Sequence, residues 1–285
     1  MDGVGVLGAL GQIIVVEAVA VEVVDVLRAV VSGEGLQLVL LDGKFSVDPA
    51  GMAVHVRGYQ LRQSQPPESG RFNNPWGEWI GAQMRGTILG QIIGDAAAAA
   101  WAAWQDAEIS HFHNGILGEV FNAILCAMAF CESDTRRLVQ QAIDCIPADS
   151  QCGSVIRFAL EQCRAHDDYL SAWRVCEKKL ERYNWVHAYP NAAIEVIALW
   201  FGQGRFVDTL EICGICGICG KDSDCNAAQL MTILDSSTGM DGIPQDWAAP
   251  FQDRLDTYVR GMEHLSIRKL AARTAVVARR LAEMR

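Results

Sequence analysis

Residues 220 to 228, Gly-Lys-Asp-Ser-Asp-Cys-Asn-Ala-Ala, set two carboxylates two positions apart, between a glycine-rich run and an apolar helical pattern. On a regular helix Asp222 and Asp224 would not share a face. At the start of a helix, both side chains can turn toward one point. Paired oxygen donors held in this way suit a hard divalent cation such as Mg²⁺ or Mn²⁺. The same residues also read as an N-cap aspartate beside a solvated acid, and spacing alone leaves both readings open.

Just upstream, Cys213, Cys216, Cys219 and Cys225 follow a C-x₂-C-x₂-C-x₅-C pattern. The first three have the spacing of an iron–sulfur ligand run, but the fourth is late and no proline follows it. The bland alternative is a narrow helix surface, in which Gly214, Gly217 and Gly220 permit close packing and the thiols act as small apolar groups. An iron–sulfur protein therefore stands as a minor reading.

The elements that must position these groups belong to a chain of 285 residues, long enough for one large domain or two small ones. A content of 51% apolar and 20% charged residues is globular. The net charge of −10 argues against bulk nucleic-acid binding, though a local basic pocket for one phosphorylated ligand remains compatible with it. Ten cysteines in a chain this long fall short of a disulfide scaffold. The Met-Asp-Gly start lacks the positive region of a signal peptide. Glu17, Glu22, Asp25 and Arg28 interrupt the apolar stretch after it, so no membrane span is expected. The expected setting is a reducing cytoplasm.

Fifteen valines fall within the first 56 positions, a density not approached later. Gly3, Gly5 and Gly8 form a G-x-G-x-x-G string, but only two residues precede it and a dinucleotide loop requires a strand there. Residues 13 to 31 pattern as an amphipathic helix and 36 to 41 as a short strand. Beyond the turn at Pro66, Pro67, Ser69 and Gly70, helical periodicity takes over. Helices are predicted over Ala96–Ala107, 115–130, 134–145, 154–165, 168–182, 190–202, 206–219, 226–235 and 264–284. The basic face of the last, with Arg268, Lys269, Arg273, Arg279 and Arg280, reads as a solvated surface. The chain divides into a valine-rich segment, 1–62, and an all-α domain, 63–285.

Several phrases together resemble the ADP-ribosylglycohydrolase family, in its larger microbial branch. They are Pro66-Pro67-Glu68-Ser69-Gly70, the run from Asn73 through Trp76-Gly77-Glu78-Trp79-Ile80-Gly81-Ala82-Gln83 to Gly86, and Asp106 through Ser110-His111 to Asn114-Gly115-Ile116-Leu117-Gly118-Glu119. His187-Ala188-Tyr189-Pro190-Asn191, the Gly220 to Asn226 element, and Ile243-Pro244-Gln245-Asp246-Trp247 follow in the family's order. The resemblance implies a compact all-α orthogonal multi-helix bundle with a binuclear metal centre at the base of a cleft for ADP-ribose. It implies metal-dependent hydrolysis of the glycosidic bond between ADP-ribose and an acceptor. By the same resemblance Asp222 and Asp224 supply catalytic and metal-ligating carboxylates. Cys225 stands where a metal-reaching threonine is common, and a thiol is a poor ligand for Mg²⁺ or Mn²⁺. Gly81, Ala82 and Gln83 resemble a backbone-rich loop holding ribose and phosphate, and Ser110 and His111 a pair near the pyrophosphate. Asn114, Gly115, Gly118 and Asn191 complete the implied substrate contacts. Residue by residue, His111 and His113 also read as helix-start or core histidines, Asn114-Gly115 as a turn, Asn191 as a helix cap and Trp247 as core.

The family's other metal ligands come from an N-terminal element with adjacent aspartates. Before residue 80 this chain has only Asp2, Asp25, Asp42 and Asp48, none beside another acid, and Asp167-Asp168 reads as a solvated helix start. Weak or absent turnover is therefore expected. A non-catalytic ADP-ribose-binding protein or truncated pseudoenzyme is the main alternative.

Overall fold

The computed structural model describes residues 65–283, apart from 219, 220, 258 and 260 and the side chains of 215–218. The glycine string, the helix expected at 13–31, the strand at 36–41 and the valine-rich segment lie outside those residues. So do Cys216 and Cys219 as ligands.

Twelve α-helices and one small hairpin form the regular structure of the described residues, so the all-α expectation holds. The helices are α1 (Glu68–Arg71), α2 (Gly81–Ile93), α3 (Ala96–Glu108), α4 (Asn114–Ala129), α5 (Thr135–Asp144) and α6 (Gln151–Ala165). There follow α7 (Tyr169–Leu180), α8 (Ala188–Gly202), α9 (Phe206–Ile218), α10 (Ser223–Thr238), α11 (Gln245–Ala248) and α12 (Ile267–Glu283). Side-chain caps set many of the starts. Asp95, Asp134, Ser150, Asp168 and Asp222 each accept a backbone N–H from the first turn of α3, α5, α6, α7 and α10. Asp167 and Asp168 are thus the solvated helix start that the sequence suggested.

Helices α4 and α8 are apolar on nearly all sides, as a helix enclosed by others must be. Thirteen of sixteen residues of α4 and thirteen of fifteen of α8 are buried. Around α4 pack α2, α3, α5 and α10, and around α8 pack α6, α7, α9 and α5. The apolar core joins both sets into one cluster.

Two departures from the periodicity have local causes. Residues 264–266 are not helical: His264–Ser266 forms strand β2, antiparallel to β1 (Arg254–Asp256) with Leu255 opposite Leu265. Ser266 Oγ then accepts Lys269 N–H, which fixes the start of α12. Gly81-Ala82-Gln83 is the first turn of α2 and not a loop. The sequence hides this because two glycines, Gly86 and Gly90, sit inside the helix. They are there for close approach to α4: a Cβ on Gly86 would lie 2.2 Å from Glu119 O, and one on Gly90 2.4 Å from Ala123 O. Gly86→Ala is therefore expected to destabilise the fold by about 2 kcal/mol by urea unfolding, overpacking outweighing the helix propensity of alanine. Gly214 in α9 makes the contrast. Among the described residues nothing lies within 4 Å of a Cβ there, so they do not supply the close packing expected of that glycine surface at this position. Gly214→Ala is expected to be neutral or slightly stabilising in the same measurement.

Candidate functional site

Asp222 and Asp224 stand where the chain enters α10. One Asp222 oxygen accepts Cys225 N–H at 3.3 Å, and one Asp224 oxygen accepts the same N–H at 3.0 Å. Both carboxylates thus turn back over the first turn. One donor atom each from Asp222, Asp224 and Cys225 falls within 4.8 Å of the others. Asp222 is 6% exposed and forms no ion pair among the described residues. Burial, reinforced by neighbouring Asp224, pushes its pKa up to about 7. Two oxygen donors with no basic partner at the buried one fit a hard divalent cation, whereas the Cys225 thiol adds little to such a set.

Asn191 fixes this turn from α8. It is not a helix cap, since His187 holds that position; it lies buried in the first turns of α8. Its Oδ1 accepts Asp222 N–H at 3.3 Å and Asn226 Nδ2 at 2.8 Å, while its Nδ2 donates to Trp185 O and His187 O. The adjoining loop carries Glu78, absent from the sequence-based set. Its Oε1 accepts from Asn114 N, Asn114 Nδ2 and Tyr189 OH at 2.9 to 3.2 Å. Its other oxygen lies 3.9 Å from His187 Nε2. Partial burial keeps His187 below its ordinary pKa despite Glu78. Its Nδ1 accepts Tyr189 N–H, so the neutral ring carries its proton on Nε2.

At the start of α2, Ala82 N–H donates to His111 Nε2 at 3.2 Å, and His111 Nδ1 pairs with Ser110 Oγ at 2.8 Å. Both ring nitrogens of His111 are thus engaged inside the protein. His113 precedes α4 with φ +48° and is exposed. Gly115 admits the backbone of the Glu78 loop, since a Cβ there would meet Gly77 O at 2.1 Å. Gly118 faces the Gln83 side chain. Beneath this layer Arg85 binds Asp106 at 2.6 Å and Glu119 at 3.3 Å. Burial would raise Asp106, but the guanidinium outweighs it and holds that carboxyl below its ordinary range. Glu119, desolvated and facing Asp106, is pushed well above. The one cation thus favours ionisation of Asp106, while burial and the neighbouring acid disfavour it in Glu119.

A second buried polar chain ties four helices together. Gln83 Nε2 donates to Glu195 Oε2 at 2.8 Å, and Asn122 Nδ2 to Glu195 Oε1 at 3.2 Å and Gln83 O at 3.1 Å. Asn122 also reaches Gln229 Oε1, and Gln229 Nε2 donates to Cys225 O at 2.8 Å. The chain therefore runs from α2 through α4 and α8 to the turn bearing the carboxylates. Burial lifts Glu195 to about 8. In the unfolded chain it ionises near the ordinary 4.5, so stability falls as pH rises between those values and levels off above 8. Glu195→Gln is expected to fold and to lose that part of the slope, with urea midpoints compared at pH 5 and pH 8. Gln83, whose Oε1 has no hydrogen-bond partner among the described residues, can rotate its amide to accept the new N–H.

The structure brings Asp222, Asp224, Cys225 and Asn191 to one turn, and Gly81, Ala82, Gln83, Ser110 and His111 to another, linked by the Gln83–Asn122–Gln229 chain. Asn114, Gly115 and Gly118 line the start of α4 between α2 and the Glu78 loop. Glu78, Arg85, Asp106 and Glu119 lay within the family-like phrases without an assigned role, and Asn122, Glu195 and Gln229 were not singled out at all. The signal for Glu119 and Glu195 was an acid inside an otherwise apolar helix. Of the four-cysteine run, Cys213 and Cys225 are buried, with Cys213 Sγ directed at Ser223 O at 3.6 Å. Trp247 is partly buried against Phe206. No helix among the described residues is long and apolar enough to cross a membrane.

A model of the ADP-ribosylglycohydrolase family matches residues 40–282. No curated protein matches the chain.

Proposed function

Because the chain belongs to the ADP-ribosylglycohydrolase family, we propose that it cleaves the glycosidic bond between ADP-ribose and an acceptor with the help of Mg²⁺ or Mn²⁺ held by Asp222 and Asp224. The observation that carries this reading is the convergence of those two carboxylates at the start of α10, one of them buried with no ion-pair partner among the described residues. A divalent cation there supplies Lewis acidity toward water and sugar oxygens. The residues do the rest. Asn191 holds the Asp222 backbone, and the buried chain through Gln229 fixes the Cys225 carbonyl, so the carboxylates are kept in place from two sides. Positive charge develops on the ribose as the bond breaks, and nearby carboxylates stabilise it. Gly81, Ala82 and Gln83 form the N-terminus of α2, where the backbone N–H groups of Gly81 and Gln83 favour a diphosphate. Because Ala82 N–H is spent on His111, the histidine and Ser110 serve by holding that turn.

A non-catalytic ADP-ribose-binding role is the second reading. It is favoured by one fact: the described residues offer a single cluster of possible metal ligands, Asp222, Asp224 and Cys225. A binuclear centre would draw further ligands from elsewhere in the chain. We place the protein in the cytoplasm on its reduced cysteine usage and take residues 63–285 as the working domain. The test is release of ADP-ribose from an ADP-ribosylated peptide with Mg²⁺, with Mn²⁺ and with EDTA. Release that requires the metal supports hydrolysis, and binding without release under all three conditions supports the second reading.

A further inference from the structure

The cavity formed by α5, α6 and α8 belongs to no part of the site above. It measures about 290 Å³ and is lined by Arg136, Arg137, Gln140, Gln141, Arg164 and Trp200. Trp200 lies nine residues after Asn191 on α8, so the cavity sits about 14 Å along that helix from the carboxylate turn.

Three guanidiniums line it and no carboxylate does, in a protein of net charge −10. Of the nearby acids, Glu132 pairs with Arg137 itself at 3.1 Å, while Asp134 caps α5 and Asp144 accepts from Gln140, which leaves Arg136 and Arg164 as the guanidiniums available to a ligand. Among the described residues Arg136 and Arg164 form no ion pair. They are held instead over the Trp200 indole, at 5.0 and 6.0 Å from the ring centroid. Arg164 is further set by Gln140 Oε1, and Arg136 by Trp200 O at 3.1 Å. Capping the negative end of α8 accounts for Arg136 but not for Arg164, which comes from α6.

The geometry points to a second, phosphate-binding site in which Arg136 and Arg164 take the phosphate of a small ligand beside Trp200, with Arg137 at its edge. Guanidiniums suit phosphate because their planar N–H groups bind its oxygens in pairs. The depression is open to solvent, so it can take a phosphate while the rest of the ligand stays outside. This inference does not depend on the hydrolase reading.

The test is calorimetric titration of inorganic pyrophosphate and of AMP into the full chain at low ionic strength, with EDTA present. Saturable binding is expected, weakened at least tenfold in Arg136→Ala/Arg164→Ala and less in Arg136→Lys/Arg164→Lys. It should change by less than twofold in Arg268→Ala/Arg279→Ala, a control on the basic face of α12, and in Asp222→Asn. Circular dichroism checks that the variants are folded, and the lysine pair serves if the alanine pair is not. Tighter binding of AMP than of pyrophosphate identifies a nucleotide, and the reverse a bare phosphate; both support the site. Absence of saturable binding, or equal binding by the arginine variants, overturns it. A loss in Asp222→Asn alone would place the phosphate at the carboxylate turn and overturn it too.

Discussion

Asp222→Asn is expected to weaken Mn²⁺ or Mg²⁺ binding at least about hundredfold and, at the same time, to raise the stability of the metal-free protein. The first effect follows from removing the charge of one of two ligand carboxylates, more than a change among the groups that merely orient ligands. The second follows from burial. Folding lifts the Asp222 pKa from its ordinary 3.8 to about 7, so ionisation opposes the folded state. The unfolded chain binds fewer protons across that window, and stability falls as pH rises from about 4 to 7 and is flat above. The full shift corresponds to about 4 kcal/mol. Asp224 shares in it and the turn relaxes, so a gain of about 2 kcal/mol at pH 8 is expected of the asparagine, shrinking toward pH 4. Asparagine keeps the cap on Cys225 N–H, which removes helix fraying as a competing effect. Urea midpoints in EDTA and calorimetric titration with Mn²⁺ read the two effects separately. Lower metal-free stability with unchanged metal binding would reduce Asp222 to a helix cap.

Asn122→Ala is expected to cost about 4 kcal/mol, the largest stability loss of any substitution considered. One amide nitrogen serves Gln83 O, Glu195 Oε1 and Gln229 Oε1 in a fully buried position at the centre of α4. Its removal leaves buried acceptors without donors, each costing about 1–3 kcal/mol, and opens a small void. The tie to the carboxylate turn through Gln229 is broken as well, so metal affinity should fall in parallel. A loss below about 1 kcal/mol by urea unfolding would show that the chain relaxes around the gap and is not a rigid tie.

The sequence disclosed the helices well where an apolar stripe alternates with charge. Residues 134–145, 168–182 and 206–219 foreshadow α5, α7 and α9 to within a residue or two at most ends. It also disclosed the pair Asp222 and Asp224, because a cap, a glycine-rich entry and an apolar helix are all local. It did not disclose α2, whose Gly86 and Gly90 look like breakers until α4 is seen against them. Nor did it disclose the buried polar chain. Gln83 meets Glu195 across 112 positions, and Asn122 meets Gln229 across 107. No periodicity encodes such pairings, and each residue alone looks like a misplaced polar group in an apolar helix. Asn191 was picked out as a substrate contact, with a helix cap as the alternative; its role in holding the Asp222 turn was not legible, since its partners on α10 lie more than thirty positions away. Glu78 escaped because its three donors come from two other segments of the chain.

The most direct measurement is calorimetric titration of ADP-ribose into the full chain, with millimolar Mg²⁺ or Mn²⁺ and with EDTA, repeated for Asp222→Asn. Binding strengthened at least tenfold by the metal, with the strengthening lost in the variant, is the predicted result. Binding indifferent to both metal and substitution would contradict a cation held by Asp222 and Asp224.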